Sequence, residues 1–594
     1  MVCCGVNPAL TAHSCFFTGR SARLRLRHIF RPLLRSEQFS RRLFRTACSS
    51  QPESRSSDSS NKFFLTTPLY YVNAAPHMGS AYTTIAADAI ARYHRLRQKQ
   101  VTFVTGTDEH GEKIAESARA KGVEPQQHCD GIVDSFKALW EQLDIQYDVF
   151  IRTTEEKHQA VVNEILQRVD QQGDIYRANY EGWYCVGCEQ YKDDGEMEAN
   201  HVCPLHKAPC VQRKEDNFFF RLSRYQQQIQ DLIEKNPSFV QPASRRNEVL
   251  GWVRDGLRDF SISRAAVAWG FPMPQDSAQT VYVWFDALLG YASALLPPGE
   301  AASSENLQKR GWPANVHLVG KDILRFHAVY WPGMLMSAGL PLPEKIFAHG
   351  FLTKDGMKMG KSLGNILEPG PLVAAYGHDA VRFFFLKEVI FGQDGDFQEE
   401  RFRNIVNAYL ANTLGNLVNR CLGLLKKNCD STFPADAASL DASHPLRLAA
   451  AAEVAKVAAA YEACALHEAA DGAMAVAVRA NKFVDESAPW TSFKKGSQED
   501  KETAAQVLLA ALEAARIASV MLSPITPATS GRISAQLGFS DEDPACNTWE
   551  GTAWGGIRKG QQVPAPQPVF ARIECDFVTA PAGKAAAKQA AVPA

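Results

Sequence analysis

The stretch that most limits what this chain can fold into is residues 66–80, Thr-Thr-Pro-Leu-Tyr-Tyr-Val-Asn-Ala-Ala-Pro-His-Met-Gly-Ser. Phe63, Phe64 and Leu65 lead into it, and helix formers fill residues 81–92 beyond Gly79. The pattern reads as a buried strand that breaks into a loop and feeds a helix. A turn of this kind aims backbone N–H groups and the positive end of a helix into the crevice at the strand's carboxyl end, where nucleotide phosphates bind in open α/β sheets. Gly79 would let a flat base approach the backbone, and His77 is a donor for phosphate oxygens. The same Pro-His-x-Gly turn is also ordinary punctuation before a helix.

A second stretch gives the first its weight. Residues 355–365, Asp-Gly-Met-Lys-Met-Gly-Lys-Ser-Leu-Gly-Asn, set Lys358 and Lys361 in a short loop whose glycines allow it to move over a ligand. By itself this is equally a solvated basic turn. Together the two stretches resemble the paired signatures of the class I aminoacyl-tRNA synthetases, with His77, Met78, Gly79 and Ser80 at the "HIGH" position and residues 358–362 at the "KMSKS" position. Between them, Thr-Gly-Thr-Asp-Glu-His-Gly at 105–111, Tyr-Val-Trp-Phe-Asp-Ala at 282–287 and Gly-Lys-Asp-Ile-Leu-Arg-Phe-His at 320–327 are similar to the methionine-specific branch of that family. The resemblance runs from about residue 61 to 577. Two positions depart from it: Ser80 stands where the family has histidine, and Gly360 replaces the first KMSKS serine.

The resemblance implies an α/β fold, a Rossmann-like parallel-sheet catalytic domain split by a zinc-knuckle insert and followed by an all-α anticodon-binding helical bundle. It implies ATP-dependent activation of L-methionine to methionyl-adenylate and transfer to tRNA(Met), with Mg²⁺ accompanying ATP. The catalytic positions carried over are His77, Gly79, Asp108, Arg264, Lys358, Lys361 and Ser362, and ATP falls to His77, Gly79, Ser80, Lys358, Met359 and Lys361. The methionine pocket falls to Leu69, Tyr71, Asp108, Trp284, Ala287, Leu288, Tyr291, Ile323 and His327, with Leu288 where some members have proline. Aromatic rings suit a polarizable thioether better than charges do.

The 594 residues exceed one core and suggest several domains. No run of about eighteen apolar residues is evident, so no membrane span is expected. Residues 1–60 carry ten arginines against Glu37, Glu53 and Asp58. That is the composition of a mitochondrial or chloroplast transit peptide, with a basic RNA-binding arm as the rival reading. Without a secretory signal, disulfides are not expected among the fourteen cysteines.

Residues 61–178 alternate strands such as 101–104 with helices such as 112–121, the first half of a parallel sheet. Asp108 follows a strand directly, placed either to receive a substrate ammonium or to cap the helix near Glu112. In the insert, 179–240, Cys185-x-x-Cys188 and Cys203-x-x-His206 offer three thiolates and an imidazole, a closed set suited to structural Zn²⁺. Cys210 and His201 are spare ligands, and no base-reading helix lies between the knuckles. The second catalytic half, 241–350, reads as strands at 280–286 and 314–319, then a helix with Ile323 and His327 on one face. Residues 351–397 hold the lysine loop and a linking region.

From 398 to 578 the pattern is helical, and a bundle is its natural packing. Asn416 and Arg420 share a face, and residues 481–490 read as a helix ending in Trp490. On spacing alone these are core and cap residues. The resemblance makes them readers of the CAU anticodon, with Trp490 stacking on a splayed base. Residues 579–594 form an Ala, Lys and Pro tail with no room for an added RNA-binding barrel or dimerisation module, so a monomer is expected. The formal net charge is −1, and without the basic leader the remainder is more acidic still. RNA binding must then rest on local basic patches, near Arg401 and Arg403 and along residues 420–427, and on base contacts.

Overall fold

The structure, a computed structural model, describes residues 61–574 other than 189, 193, 205, 206, 266 and 360–364. Its catalytic part starts with strand β1 (Lys62–Tyr71), helix α1 (Met78–Leu96), β2 (Gln100–Asp108), α2 (Glu112–Lys121), β3 (Val149–Arg152) and α3 (Glu156–Gln171). β1 is buried on both faces, as a central parallel strand must be. Its ladder with β2 shifts register between Thr66 and Leu69. Pro68 lies in that gap; it has no N–H to give, so the strand bulges there and its last residues turn toward the carboxyl edge.

The chain then leaves the sheet. β4 (Ile175–Cys185) and β5 (Val211–Phe220) form a long antiparallel ladder, with Ile175 opposite Phe220 at the base and Tyr184 opposite Val211 near the tip. The chain returns through β6 (Val240–Gln241), helix α4 (Val283–Ser293), β7 (Val316–Gly320), helix α5 (Trp331–Ala338) and β8 (Ile346–His349). Among the described residues the parallel sheet has six strands in the order β3-β2-β1-β7-β8-β6. The order grows outward from β1 on one side and from β7 on the other. The crevice therefore opens beyond the carboxyl ends of β1 and β7.

The strand expected over 280–286 stops at Val281, and Tyr282 caps α4 instead. Aromatic and β-branched residues report burial as much as extended backbone. α4 is buried almost all round, so it shows no amphipathic period to betray a helix.

Helix α6 (His378–Glu388) leads into the bundle, which includes α7 (Asn416–Asn428), α8 (Pro445–Glu462), α9 (Leu466–Ser487), α10 (Pro489–Lys495) and α11 (Gln498–Leu522). Ser497 and Asp500 cap α11 reciprocally. α11 is long and apolar enough to cross a membrane by length and composition, although Glu513 and Arg516 interrupt its apolar run. It is instead the bundle's buried central helix, 94% of its apolar window being covered by protein. Its charged pair, Glu513 and Arg516, is satisfied internally at 2.7 Å.

Trp490 does not end a helix. α9 stops at Ser487, Ala488 takes a positive φ of 42°, and Pro489 opens α10, so the indole sits in a new first turn. Proline cannot continue a helix but is welcome at its first position.

Strand alternation divides the interior in two. Phe63, Leu65 and Phe103 join α1 and the bundle in one continuous core, while Phe64, Val104 and Ile151 face α3, α4 and α5. The first core contains a buried ion pair, Arg382 of α6 with Asp88 of α1 at 2.6 Å. Arg382 also donates to the carbonyls of Leu143 (3.2 Å), Pro524 (2.8 Å) and Ile525 (2.9 Å). The helix that opens the crevice is thereby locked to the bundle.

Candidate active site

His77 is exposed at the N-terminus of α1, and its Nδ1 accepts from the Gly79 N–H at 3.0 Å. A Cβ on Gly79 would come within 2.8 Å of the His77 ring, so only glycine lets the imidazole fold against the helix start. Ser80 is buried inside the first turn, its carbonyl accepting from the Tyr70 hydroxyl (3.1 Å) and from Thr84 Oγ1 (2.9 Å). Thr83 Oγ1 lies 2.7 Å from His349 Nε2, tying α1 to the end of β8.

Just beyond β8 the chain makes a hairpin, Leu352–Lys354 against Met357–Lys358. Its turn uses positive φ at Asp355 and Gly356, and Asp396 Oδ1 accepts from the Gly356 N–H at 2.8 Å. The hairpin presents the backbone of Lys358 and then Met359, whose sulfur accepts from the Leu367 N–H at 3.5 Å. Gly360, Lys361 and Ser362, and the Lys358 side chain, lie outside what is described.

The aromatic group converges from three elements. Leu69 and Tyr71 end β1, opposite Gly106 and Asp108 of β2. α4 supplies Trp284, Ala287, Leu288 and Tyr291, and Ile323 and His327 follow β7. Leu69 packs against α4 where Gly290 leaves room; a Cβ there would meet its Cδ1 at 2.4 Å. The Tyr291 hydroxyl is 2.8 Å from His327 Nε2, and His327 Nδ1 is 3.0 Å from the Ile323 carbonyl. A carbonyl can only accept, so Nδ1 carries the hydrogen and Nε2 accepts from Tyr291. Burial pulls the His327 pKa down to about 4, which keeps the ring neutral. Burial, with Tyr70 and Asp108 nearby, pushes the Tyr291 phenol up.

Asp108 is buried at the end of β2. The cap position of α2 is Gly111 and has no side-chain bond, so the capping alternative for Asp108 falls away. Arg264 is buried 4.0 Å from the Tyr282 ring and 5.2 Å from that of Tyr191 in the insert. It donates to Ser261 Oγ (2.8 Å) and the Ser263 carbonyl (2.7 Å), while its ring contacts reach the insert through Tyr191 and the start of α4 through Tyr282.

Sequence reasoning missed a layer behind this group. His317 lies 2.7 Å from Thr66 Oγ1 and accepts from Trp331 Nε1 at 3.3 Å, and its ring centroid is 4.6 Å from that of Tyr291. Phe326 stacks on Trp284 at 3.8 Å. The alternation of β7 makes His317 a residue of one sheet face, but its partners are set by the fold.

At the tip of the insert the sulfurs of Cys185, Cys188 and Cys203 lie within 4.8 Å of one another, two of the residues buried, and could hold a metal ion. Cys188 and Cys203 Sγ are 3.7 Å apart, the spacing of thiolates about 2.3 Å from one tetrahedral zinc. His206 lies outside the described residues. Of the spare ligands, Cys210 packs with Cys185 and Cys203, while His201 stacks on Trp183 at 3.8 Å.

On the bundle, Asn416 is exposed and Trp490 is 40% exposed. Arg420 pairs with Asp485 at 2.6 Å and holds its guanidinium 5.7 Å from the Trp490 ring. The fold thus brings Arg420 and Trp490 together at the surface, away from the core role that spacing allowed.

Comparison with known proteins agrees with this architecture. The family "tRNA synthetases class I (M)" matches residues 63–209 and 196–422, and "Anticodon binding domain of methionyl tRNA ligase" matches residues 433–589. The chloroplastic/mitochondrial methionine–tRNA ligase of Arabidopsis thaliana is 56% identical over 527 residues, 89% of this chain and 85% of that protein. The methionine–tRNA ligase of Thermosynechococcus vestitus is 52% identical over 518 residues, 86% of this chain and 97% of that one. Among solved structures, Mycobacterium tuberculosis methionyl-tRNA synthetase in complex with methionyl-adenylate superposes with a TM-score of 0.82 at 39% identity, covering 86% of this chain and all of that one. The parallel sheet, the cysteine-bearing insert and the helical bundle accord with those relatives, and the chain belongs to the class I methionyl-tRNA synthetases, the methionine–tRNA ligases.

Proposed function

We propose that the crevice beyond β1 and β7 condenses L-methionine with ATP and then passes the methionyl group to tRNA(Met) held by the bundle. The substrate carboxylate attacks the α-phosphate, the bond to pyrophosphate breaks, and no protein nucleophile takes part. Catalysis is positioning and charge stabilisation. In this reading His77, Gly79, Ser80 and Met359 seat ATP, and Lys358, Lys361 and Ser362 meet the phosphate charge, with Mg²⁺ bound to the nucleotide. Asp108 receives the ammonium, Arg264 braces the start of α4, and Leu69, Tyr71, Trp284, Ala287, Leu288, Tyr291, Ile323 and His327 enclose the side chain.

The observation that carries this reading is the buried Tyr291–His327 pair with its hydrogens fixed and its imidazole neutral, close to Asp108. A polar but uncharged wall with one carboxylate fits an amino acid whose side chain is apolar and polarizable. ATP–pyrophosphate exchange across the twenty amino acids tests it. Exchange with methionine far above all others is expected, and equal exchange with another amino acid would refute the assignment.

In this reading the work divides among catalytic halves at about 61–178 and 241–350, an insert at about 179–240, a lysine-loop region at 351–397 and the anticodon bundle at 398–578. Cys185, Cys188, Cys203 and His206 would hold a structural Zn²⁺ that braces the tip of the insert. Metal analysis should find about one zinc per chain and much less in Cys203→Ser. Equal zinc in both would move the assignment to Cys210 or remove it. The arginine-rich leader and the likeness to a chloroplastic/mitochondrial enzyme support service in organellar translation, in mitochondrion, chloroplast or both.

A further inference from the structure

β2 ends at Asp108, so the three residues after it have no ladder to hold them. Arg152 and the Thr153 hydroxyl tie Glu109, and the Trp269 carbonyl accepts from the Gly111 N–H; His110, between them, is held by a buried fork. Asp286, on α4 between Trp284 and Ala287, accepts from His110 Nδ1 at 2.7 Å through one oxygen and from His158 Nε2 at 2.8 Å through the other. His158 reaches in from α3, and its second nitrogen is 2.8 Å from Ser293 Oγ on the last turn of α4. Relative exposures are 1% for Asp286, 4% for His110 and 0% for His158. Phe271 closes over the cluster, its ring 4.5 Å from that of His110.

We propose that Asp286 is a positioning residue for methionine: gripped by His110 and His158, it locks the loop carrying Asp108 to the helix that lines the pocket. This deepens the reading given above and rests on it. A carboxylate taken out of water is costly, and apolar side chains of like volume would pack the same space at less expense. A bidentate fork does what apolar packing does not, since it fixes direction as well as distance. Asp108 lies two residues before one arm, and Trp284 and Ala287 flank the carboxylate itself. A slip of this junction would move the ammonium partner relative to the wall around the side chain. Burial works to raise the Asp286 carboxyl, but electrostatic attraction to His110 and His158, together with their hydrogen bonds, holds it down at about 2, so the acceptor stays ionised throughout the working range.

The test is steady-state ATP–pyrophosphate exchange in the full-length enzyme, with melting temperature measured beside it. Asp286→Asn should raise KM for methionine about tenfold or more and leave KM for ATP within about twofold. His158→Ala should do the same. His158→Gln, whose amide nitrogen can donate to Asp286, should recover most of the loss and decides the matter if Asp286→Asn folds poorly. A methionine KM within about twofold of wild type in both Asp286→Asn and His158→Ala would overturn the proposal. So would a parallel rise in both KM values with a lower melting temperature and no rescue by glutamine, the mark of a merely structural group. Asp108→Asn separates the two levels: if it raises KM for methionine while Asp286→Asn does not, only this inference fails, and if Asp108→Asn also has no effect, the pocket assignment fails with it.

Discussion

The proposed methionine pocket and the proposed anticodon face solve recognition in opposite ways. In the pocket, polar atoms are tied to other buried atoms: Tyr291 to His327, His327 to Ile323, His317 to Thr66 and Trp331. On the bundle, Asn416 and Trp490 stand in solvent, and Arg420 is steadied by one ion pair with Asp485. A small ligand with a flexible side chain needs a wall that is already set, whereas single-stranded RNA needs rings and donors that bases can reach. Between the two lies a continuous core, crossed by the Asp88–Arg382 pair. On the proposed assignment the regions share stability but divide chemistry.

Arg382→Ala should break that arrangement most severely. It leaves Asp88 buried with less compensation and removes donors from three carbonyls, a loss on the order of 3–5 kcal/mol of folding stability. Methionine activation and tRNA charging should fall together, in step with a lower melting temperature. Loss of one activity alone would show that the joint is not shared.

Lys361→Ala should act on the crevice only. Its charge matters most while pyrophosphate is being displaced, so adenylate formation should lose about 2–4 kcal/mol of transition-state stabilisation with little change in KM for methionine. An unchanged exchange rate would remove Lys361 from the mechanism.

The smallest expected effect is a null one. Burial holds His327 at about 4, well under the ordinary histidine value, so the ring stays neutral at working pH. KM for methionine should therefore be flat between about pH 6 and 8. The unfolded chain takes up this proton first, so the His327 contribution to stability declines as pH falls from about 6.5 toward 4 and is constant below that. An inflection in KM near the ordinary histidine value would mean that the ring charges in the folded pocket.

What the sequence revealed depended on how local the signal was. The β1–turn–α1 unit, the helix over residues 112–121 and the cysteine knuckles are legible because a few neighbouring residues carry each of them. The helical state of 283–286 is hidden in the sequence because a helix buried almost all round has no polar stripe. Pro489 announces the turn before Trp490, but the helical run upstream masks the stop at Ser487. His158 and Asp286 lie 128 residues apart in sequence, and no pattern in either segment names the other. The pocket residues themselves came from resemblance, and the layer behind them came only from the fold.

The claim that the two regions divide chemistry while sharing a core is tested most directly on Trp490→Ala. Melting temperature, ATP–pyrophosphate exchange and tRNA(Met) charging should be measured on one preparation. An indole that is 40% exposed should cost little stability, so the melting temperature and methionine-dependent exchange should match wild type. The kcat/KM for tRNA should fall by about 1–3 kcal/mol, the worth of one base–aromatic stack. Normal charging with normal stability would contradict the account, as would a joint loss of stability, exchange and charging.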